Sequence, residues 1–593
     1  MLNSFITLMT LLPAILPTWE EAPMPKGFLN YDLEGYKSET AATNKQIEAL
    51  EVKDPIFRLR VLWKLSLLGN EDAGKVILGF LANENDPLMR TAALRYLYNC
   101  ELPDSEMPAI ERLINGQTDE GLAAARLYCR FPKADLSKVV KLLPNSNLKN
   151  KISLVKALDE TDRLKASEWQ RIYKNSKEHS FRVIPLKQIA AKPGKESIDF
   201  MKEILKSGSN TERATIALNL KVSDQTSQLL DMCLIEKHAT VRSAAAGAVA
   251  LSGDKKFHSK LISLSTDSDS EVRKAAIRSL SVYPNKETVE ALLNSLGDQE
   301  LLVQKAAVKS LKEISKKFDI AAIMGKGVTF TNSGVRRWTS HLLGMLVEKS
   351  YAQKIYAQLK KEENFDARAE QVYALGQFKQ KMTQAEIKKL SEDHERVRAS
   401  LMHYLGKIND KKYYDLMHNT AIEDTVDFVR WAALEAMGNN GDPWFNETLL
   451  AIMNDLNRDD MRDYQDRAVA CWSAGKIRGL SEPLIAIMIK FMNKPTIPNV
   501  MGPNTYDNSH VLLSIFFAFC DQYHRGGEKK DYFFKHAKSF HFRFKKDRRS
   551  VDFPRGYHND NYADQGWSYL NGDEAPRVHL PKFQLNWDYK EAR

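Results

Sequence analysis

At 593 residues the chain exceeds the length over which a single hydrophobic core keeps growing, so a modular core is expected. Its hydrophobic content of 43% is ample for burying helix faces, and 28 Gly and 21 Pro are too few for a low-complexity protein. The formal net charge is +10, and the five cysteines lie far apart without a CxxC pair. This spacing argues against a zinc site and a dense disulfide framework, and it leaves open one isolated bridge between Cys100 and Cys129.

The amino terminus carries an apolar run from Phe5 to Pro17 that is followed by polar residues. A run of this length suits the core of a signal peptide and is too short to span a bilayer. Residues 1–25 are therefore predicted to direct export, which implies a secreted or periplasmic protein without a transmembrane segment in the mature chain. Two prolines in the run and the lack of Lys or Arg before it leave two alternatives: a cytoplasmic protein and a cap over the first hairpin. Residues 26–45 are predicted to be an irregular lead-in.

A nine-residue phrase recurs along most of the chain. Its clearest copies are Val272–Leu280 (VRKAAIRSL) and Val303–Leu311 (VQKAAVKSL), with a looser copy at Val397–Leu405 (VRASLMHYL). The copies begin at Phe57, Met89, Leu122, Asn150, Phe181, Glu212, Val241, Val272, Val303, Val335, Ala367, Val397, Val429 and Asp466, with a further start at Val511. Among the first fourteen starts, twelve of the thirteen spacings are 28–33 residues and the last is 37. A fixed period of this size is typical of an array of stacked units.

Within the phrase, the apolar positions share one face of a helix, and most copies place an arginine second. These arginines are Arg58, Arg90, Arg182, Arg213, Arg242, Arg273, Arg336, Arg368, Arg398, Arg430 and Arg467. Another amphipathic stretch and a short turn precede each phrase, so each unit is predicted to be a helical hairpin. Asp54, Asp86 and Asp269 lie four residues before an arginine, where each carboxylate is predicted to cap the second helix and to pair with a nearby arginine.

This pattern resembles the HEAT and HEAT-like (PBS-lyase, or bilin-lyase, type) repeats, whose second helix opens with an aspartate, a Val-Arg pair and a spaced Ala and Leu. The resemblance covers residues 46–495. It implies an all-α fold, namely a right-handed α-solenoid of about 14–15 HEAT-like helical hairpins with an irregular C-terminal cap. It implies little about activity, because such solenoids usually serve as binding surfaces and only occasionally as enzymes.

The repeat register predicts a binding ridge. In HEAT-type stacks the second helices line the concave face, and the third and seventh phrase positions are expected to face away from the core. These positions hold Lys274 and Arg278, Lys305 and Lys309, Arg337 and His341, Ala369 and Tyr373, Ala399 and His403, Trp431 and Glu435, and Ala468 and Trp472. The ridge begins basic and becomes aromatic and imidazole-rich, with alanines leaving space beside the rings. An external ligand or the folded-back C-terminal segment is expected to cover it.

The C-terminal part departs from the repeats. Residues 496–526 are predicted to hold a loop insertion and a possible last repeat helix, and residues 527–593 a basic and aromatic extension that caps the solenoid. From Lys529 to Arg555 there are ten basic residues against three acidic ones, with the densest cluster at Lys545, Lys546, Arg548 and Arg549. This balance suits an acidic protein or an anionic polysaccharide better than nucleic acid. It also suits a solvated basic strand with aromatic anchors.

Catalytic motifs are scarce. His394-Glu395 resembles one half of the His-Glu pairs that hold two metals in the HEAT-like deoxyhypusine hydroxylases, but those enzymes need several such pairs. Residues 558–564 offer oxygen and nitrogen ligands without the glycine and terminal glutamate of an EF-hand. The sequence therefore predicts no metal site, no cofactor and no catalytic residue.

Two hypotheses of function follow. The leading one is a non-enzymatic HEAT-repeat scaffold that binds a protein or an anionic polymer through its concave face and basic extension. The alternative is an enzyme or enzyme subunit that acts on nucleic acid or polysaccharide through the histidine and aromatic side chains of the same face.

Overall fold

The computed structural model describes Leu50 and residues 55–116, 118–176, 178–454, 463–493 and 506–547. Within these residues all regular elements are helices and there is no strand. The predicted signal segment, the lead-in, Asp54, Arg548, Arg549 and residues 558–564 lie outside them. The chain divides into two compact units, Met1–Tyr283 and Pro284–Arg593.

The first unit is a stack of helical hairpins. It opens with Pro55–Leu68, which carries the first copy of the phrase, and seven complete hairpins follow. They pair Glu71–Asn83 with Pro87–Leu97, Met107–Leu113 with Asp119–Tyr128, Leu136–Val140 with Leu148–Thr161, Ala166–Lys174 with His179–Ala191, Lys195–Ser207 with Asn210–Asn219, Ser227–Leu234 with Ala239–Ser252, and His258–Leu264 with Ser270–Leu280.

The second unit repeats this arrangement seven times and adds one helix. Its hairpins pair Lys286–Ser295 with Leu301–Ile314, Ala321–Gly327 with Ser333–Leu346, Ala352–Leu359 with Phe365–Phe378, Gln384–Ser391 with Glu395–Ile408, Tyr414–Glu423 with Asp427–Asn440, Asn446–Asn454 with Asp463–Lys476, and Glu482–Asn493 with Tyr506–Arg525. Lys530–Asp547 packs on the last of these. In both units second helices contact neighbouring second helices, so each unit is an α-solenoid with two helix layers.

The phrase places its apolar residues in the core, as predicted. In the copy at Val272, the side chains of Val272, Ala276, Ile277 and Leu280 are all fully buried. Burial of this kind in every hairpin replaces the single central core that a chain of this length does not form.

All five cysteines are buried and free, so the bridge between Cys100 and Cys129 is not formed. Burial raises the pKa of the Cys100 thiol to about 11 and that of the Cys129 thiol to about 12. These thiols therefore stay protonated at neutral pH and act as small apolar side chains.

The basic extension is helical where the structure describes it, which corrects the prediction of a strand. Phe533 and Ala537 lie one turn apart on Lys530–Asp547 and are buried, and the Phe533 ring lies 5.5 Å from the ring of Phe519. Spacing of three and four residues puts such side chains on one helix face, where the aromatic residues become anchors. No helix of the described residues combines the length and the apolar character needed to cross a membrane.

The predicted aspartate caps are confirmed for Asp86 and Asp269, which accept hydrogen bonds from the backbone N–H groups of Leu88 and Glu271 at 2.9 Å. Such a cap satisfies an N–H group that has no partner within the helix, and it stabilises the helix by about 1 kcal/mol. The arginine that follows Asp86 forms its ion pair with another acidic residue, since Arg90 pairs with Glu120 at 2.8 Å.

Most of the phrase arginines join two repeats. The Arg242 Nη1 atom donates to the backbone carbonyls of Glu236 and Lys237 in its own turn, while Nε and Nη2 bind the Asp267 carboxylate of the next repeat at 2.8 and 2.7 Å. We name this recurring set the arginine–acid ladder. It comprises Arg58–Glu84, Arg90–Glu120, Arg213–Glu236, Arg242–Asp267, Arg336–Glu362, Arg368–Asp393, Arg398–Asp424 and Arg430–Asp466.

The ladder lowers the pKa of two of its carboxyl groups, those of Asp267 and Glu362. Burial alone raises the pKa of the Glu362 carboxyl, but hydrogen bonds from Arg336 and from the Asn364 backbone outweigh it and leave the pKa below its usual value. Removing one partner of such a half-buried bidentate pair leaves the other charge without compensation. The arginine that recurs in the phrase is therefore a structural link between hairpins.

We expect Leu280→Asp and Leu311→Asp to lower the free energy of unfolding by about 3 kcal/mol or more, because each puts an unpaired charge in a fully buried apolar site. Arg278→Ala, on the exposed side of the helix that holds Leu280, should change it by less than about 0.5 kcal/mol. Urea unfolding followed by circular dichroism measures the difference. Equal midpoints for the three variants would show that the helix faces are assigned wrongly.

Candidate binding face

Four rings form a continuous row along the second-helix layer of the second unit, and we name this row the ring column. The indole of Trp338 meets the His341 imidazole edge to face at 5.7 Å between ring centroids. His341 stacks on Tyr373 at 5.5 Å with an interplanar angle of 21°, and Tyr373 stacks on His403 at 4.9 Å and 27°. The last three rings occupy the seventh phrase position of three consecutive repeats, which is where the predicted ridge places them.

Hydrogen bonds fix the two imidazoles of the ring column. His341 Nδ1 lies 2.9 Å from Oε2 of the buried Glu370. His403 Nε2 lies 2.8 Å from the amide nitrogen of Gln377, which donates to it. Burial, and then the nearby Lys407 ammonium, lower the pKa of His403 to about 4. His403 is therefore a neutral, oriented ring at pH 7.

The close approach of the second helices explains why the rings stack. Glycine occupies the tenth phrase position in five consecutive repeats, at Gly344, Gly376, Gly406, Gly438 and Gly475. A Cβ atom at Gly376 would lie 2.9 Å from the Tyr404 Cα atom of the next helix, and one at Gly344 would lie 2.9 Å from Ala374 Cα. Backbones in contact at these glycines hold the rings of the seventh position, three residues before each glycine, at stacking distance.

The third phrase position faces the neighbouring helix, which corrects the prediction that it is exposed. Ala369, Ala399 and Ala468 are buried, so they leave no space beside the rings. Arg337 is buried as well, with its guanidinium 4.3 Å from the Trp338 ring centroid and 3.8 Å from the Asp366 carboxylate. In the first unit Ser243, at the same position, donates to the Glu271 carbonyl of the next repeat. Helices packed this closely bury the flank that an isolated helix would expose.

The other third-position residues are engaged or half-buried. Lys274, in the first unit, pairs with Glu271 at 2.5 Å, and Lys305 is half-buried. Trp431 donates from Nε1 to Asp466 at 2.6 Å, so its indole supports the arginine–acid ladder.

The seventh position remains accessible. Arg278, in the first unit, and Lys309 are exposed. Glu435 and Trp472 are half-buried beyond His403, and burial raises the pKa of Glu435 against the opposing effect of Lys476. The Lys476 ammonium lies 3.4 Å from the Trp472 ring centroid and 3.2 Å from the Asn439 side-chain oxygen. Lys545 and Lys546 lie on the helix Lys530–Asp547, apart from these residues in sequence, and their side chains are not described.

Comparison with protein families gives a match to HEAT repeats over residues 226–312, 259–339 and 352–438. The chain contains HEAT repeats. Trp338, Tyr373 and His403 of the ring column lie within the matched residues, and His341 lies between two matched ranges.

Solved structures with a similar chain course include Kap95p in a structure of its binding to RanGDP, with 13% identity, a TM-score of 0.45, and coverage of 90% of this chain and 77% of that one. A Kap95:Nup1 complex shares 13% identity with the same coverage and a TM-score of 0.48. Importin beta in an ammonium sulfate condition shares 14% identity over 89% of this chain and 82% of that one, with a TM-score of 0.40. The search of curated proteins returned no match.

Two features of these HEAT repeats were missed by the sequence analysis, although both have a sequence signal. One is the glycine at the tenth position, which follows Leu or Met in four of its five copies. The other is the acidic residue six positions before the arginine, seen at Glu84, Glu236, Asp267, Glu362 and Asp424. Each of these acids binds the arginine of the preceding repeat.

The pair His394-Glu395 is part of the repeat framework. His394 is the N-cap of Glu395–Ile408, where its Nδ1 atom accepts from the Arg396 backbone N–H at 3.3 Å. Its ring stacks on Phe365 at 3.8 Å between centroids. These contacts give His394 a helix-capping role.

We expect His403→Gln to flatten the loss of stability in acid. Because the folded-state pKa of His403 is about 4 and an unfolded histidine titrates near 6.5, the unfolded state alone gains this proton as the pH falls between those values. This costs the native chain about 2–3 kcal/mol between pH 6.5 and pH 4. Urea unfolding at a series of pH values should show a smaller loss for the variant, and parallel curves would contradict the assigned pKa.

Gly376→Ala should lower the free energy of unfolding by about 1–3 kcal/mol, because the new methyl group would press on the Tyr404 backbone. Gly247→Ala is the matched control, since a Cβ atom there meets no atom within 4 Å and the residue also lies inside a second helix. It should raise stability by up to about 1 kcal/mol through helix propensity. Thermal unfolding of both variants decides the matter, and a stabilised Gly376→Ala variant would mean that the helices are not in backbone contact.

Proposed function

We propose that the protein is a non-enzymatic HEAT-repeat scaffold that binds a protein partner through the ring column and the side chains beside it. The observation that carries the proposal is a row of four rings, held by stacking and hydrogen bonds, in which His341, Tyr373 and His403 are each partly accessible. Clustered aromatic anchors of this kind supply much of the binding energy at protein interfaces.

The rigidity of the ring column supports binding. Each of its inner rings contacts the rings on both sides, and both imidazoles are tied to a side chain of the second-helix layer. A surface already ordered in the free protein loses little conformational entropy when a partner docks. The backbone contacts at the tenth-position glycines reduce the distance between neighbouring second helices. This supports placing the second-helix layer on the concave side of the second unit.

The charge of this region favours a protein over an anionic polymer. His403 is neutral at pH 7, and the seventh position continues to Glu435 and then to Trp472. A polyanion needs a row of cations along its path, whereas an aromatic row flanked by both signs of charge suits a folded or peptide surface.

Binding also accounts for the histidines better than catalysis does. His341 is engaged by Glu370 and His403 by Gln377, and Tyr373 covers one face of each imidazole. A general base must reach the proton that it abstracts. Both rings instead serve as oriented contact area.

The basic C-terminal helix and the apolar N-terminus extend the proposal. Lys545, Lys546, Arg548 and Arg549 would add a salt-dependent attraction for an acidic region of the same partner. Residues 1–25 would direct the protein to the secreted or periplasmic space, with the cytoplasm as the alternative.

Tyr373→Ala and Trp472→Ala should each weaken partner binding by roughly tenfold or more without unfolding the array, because truncating an aromatic anchor commonly costs about 2 kcal/mol. The matched control is Trp444→Ala, since Trp444 is 45% exposed on the turn before a first helix, away from the ring column. The native chain and the three variants would be used to capture partners from native extract. Affinities would then be measured with the purified partner by calorimetry.

The contradicting result would be a partner that binds Tyr373→Ala and Trp472→Ala as tightly as the native chain. If the same partner is lost on charge reversal of Lys545, Lys546, Arg548 and Arg549, the basic extension is the site and the ring column only supports the fold. Binding that fails equally in Trp444→Ala would show that the substitutions act through stability.

A further inference from the structure

The first unit contains a cavity on its second-helix layer, separate in sequence from every residue of the ring column. It has a volume of about 40 Å³ and lies where the helices Pro87–Leu97, Asp119–Tyr128 and Leu148–Thr161 meet. About 10–15 Å³ of such space holds one water molecule. The cavity can therefore accept a small functional group with part of its stem.

Two guanidinium groups line this cavity from neighbouring repeats. Arg95 comes from Pro87–Leu97 and is exposed to solvent, and Arg126 comes from Asp119–Tyr128 and is half-buried. The Arg126 guanidinium lies 4.6 Å from the centroid of the Tyr98 ring, which also lines the cavity. A guanidinium held on an aromatic face is pre-oriented and so loses little freedom when it binds an anion.

The Tyr98 ring that supports Arg126 is itself anchored. Its hydroxyl donates to Glu160 on Leu148–Thr161, the second helix two repeats further on, and the Arg130 guanidinium lies 5.3 Å from the same ring centroid. Burial, and then the hydrogen bond to Glu160, raise the pKa of Tyr98 to about 12, so the phenol stays neutral.

The remaining lining sets the charge and character of a ligand. Asp119, which is exposed, is the one carboxylate among the residues that line the cavity, so two cations against one anion leave a balance of +1. Leu94, Leu122 and Leu154 supply apolar walls, and Asn150 and Ser153 add polar groups. This combination matches a monoanion that is carried on an aliphatic stem.

We propose that this cavity binds the carboxylate of a glutamate in an acidic, leucine-rich segment of a partner protein. The Arg95 and Arg126 guanidinium groups would hold the two carboxylate oxygens, while the leucines would pack on the methylene stem and on the neighbouring apolar side chains. A phosphate dianion fits less well, because its second charge exceeds the balance of the cavity and would face Asp119.

The test uses the full chain and the peptide acetyl-Ala-Leu-Glu-Leu-Ala-amide. The uncharged control is the same peptide with glutamine in place of glutamate. Calorimetry at low ionic strength should show the glutamate peptide binding about tenfold more tightly than the glutamine peptide, since charge-assisted hydrogen bonds to guanidinium groups provide the difference. Arg95→Gln and Arg126→Gln should abolish that preference. Arg112→Gln, on an exposed first-helix site of the same unit, should keep it.

Equal affinity for the two peptides would overturn the proposal, as would an unchanged preference in both cavity variants. Tighter binding of inorganic phosphate than of the glutamate peptide would replace the carboxylate with a phosphate group and would also overturn it. If Arg126→Gln does not fold, the melting temperature of the native chain with each peptide decides, and only the glutamate peptide should raise it. Tyr373→Ala should retain the preference, so failure here and failure of the proposed ring-column function are distinguishable.

Discussion

The contact between a glycine and the backbone of the next second helix governs the second unit. At Gly344, Gly376 and Gly438, a Cβ atom would lie 2.9 Å from a Cα atom of the following repeat, a distance that real side chains do not tolerate. Because glycine has no Cβ, the helices close to backbone contact there. Side chains on both sides of the contact are then brought close to the neighbouring helix. The short distance between helices buries the side chains at the third phrase position and stacks the rings at the seventh phrase position.

The arginine–acid ladder works across the same repeats from the other end of the helix. The Arg336 guanidinium binds two backbone carbonyls of the turn before its helix and reaches forward to the Glu362 carboxylate at 2.6 and 2.7 Å. Arg242 and Arg368 make the same set of bonds. Where the second position is Gln304, its amide still donates to the Asp298 carbonyl, and its oxygen accepts from the Trp338 indole. The ladder sets the register between the starts of neighbouring second helices, and the glycines set the distance between these helices near their other ends. The helices that carry the ring column are therefore fixed at both ends.

Local patterns in the sequence predict the fold well, because helix periodicity and capping depend on residues a few positions apart. The hairpins, the buried faces and the caps at Asp86 and Asp269 were predicted for this reason. The burial of Ala369, Ala399 and Arg337 was not predicted, because the flank that a helix buries depends on how closely the next repeat approaches. The neutrality of His403 likewise depends on burial and on Gln377, which lies 26 residues away. The helix at Lys530–Asp547 was missed because its basic residues mask the spacing of Phe533 and Ala537.

The account depends most on the claim that the glycine contacts hold the ring column in its stack. The most direct measurement is the chemical shift of the His341 ring protons in selectively histidine-labelled protein, because the Tyr373 ring lies 5.5 Å away at an interplanar angle of 21°. The account predicts ring protons shifted upfield from their unfolded values, and a shift that largely disappears in Gly344→Ala, whose new methyl group would meet Ala374 and Tyr373. Ring protons at unfolded values in the native chain, or a full upfield shift retained in Gly344→Ala, would contradict it.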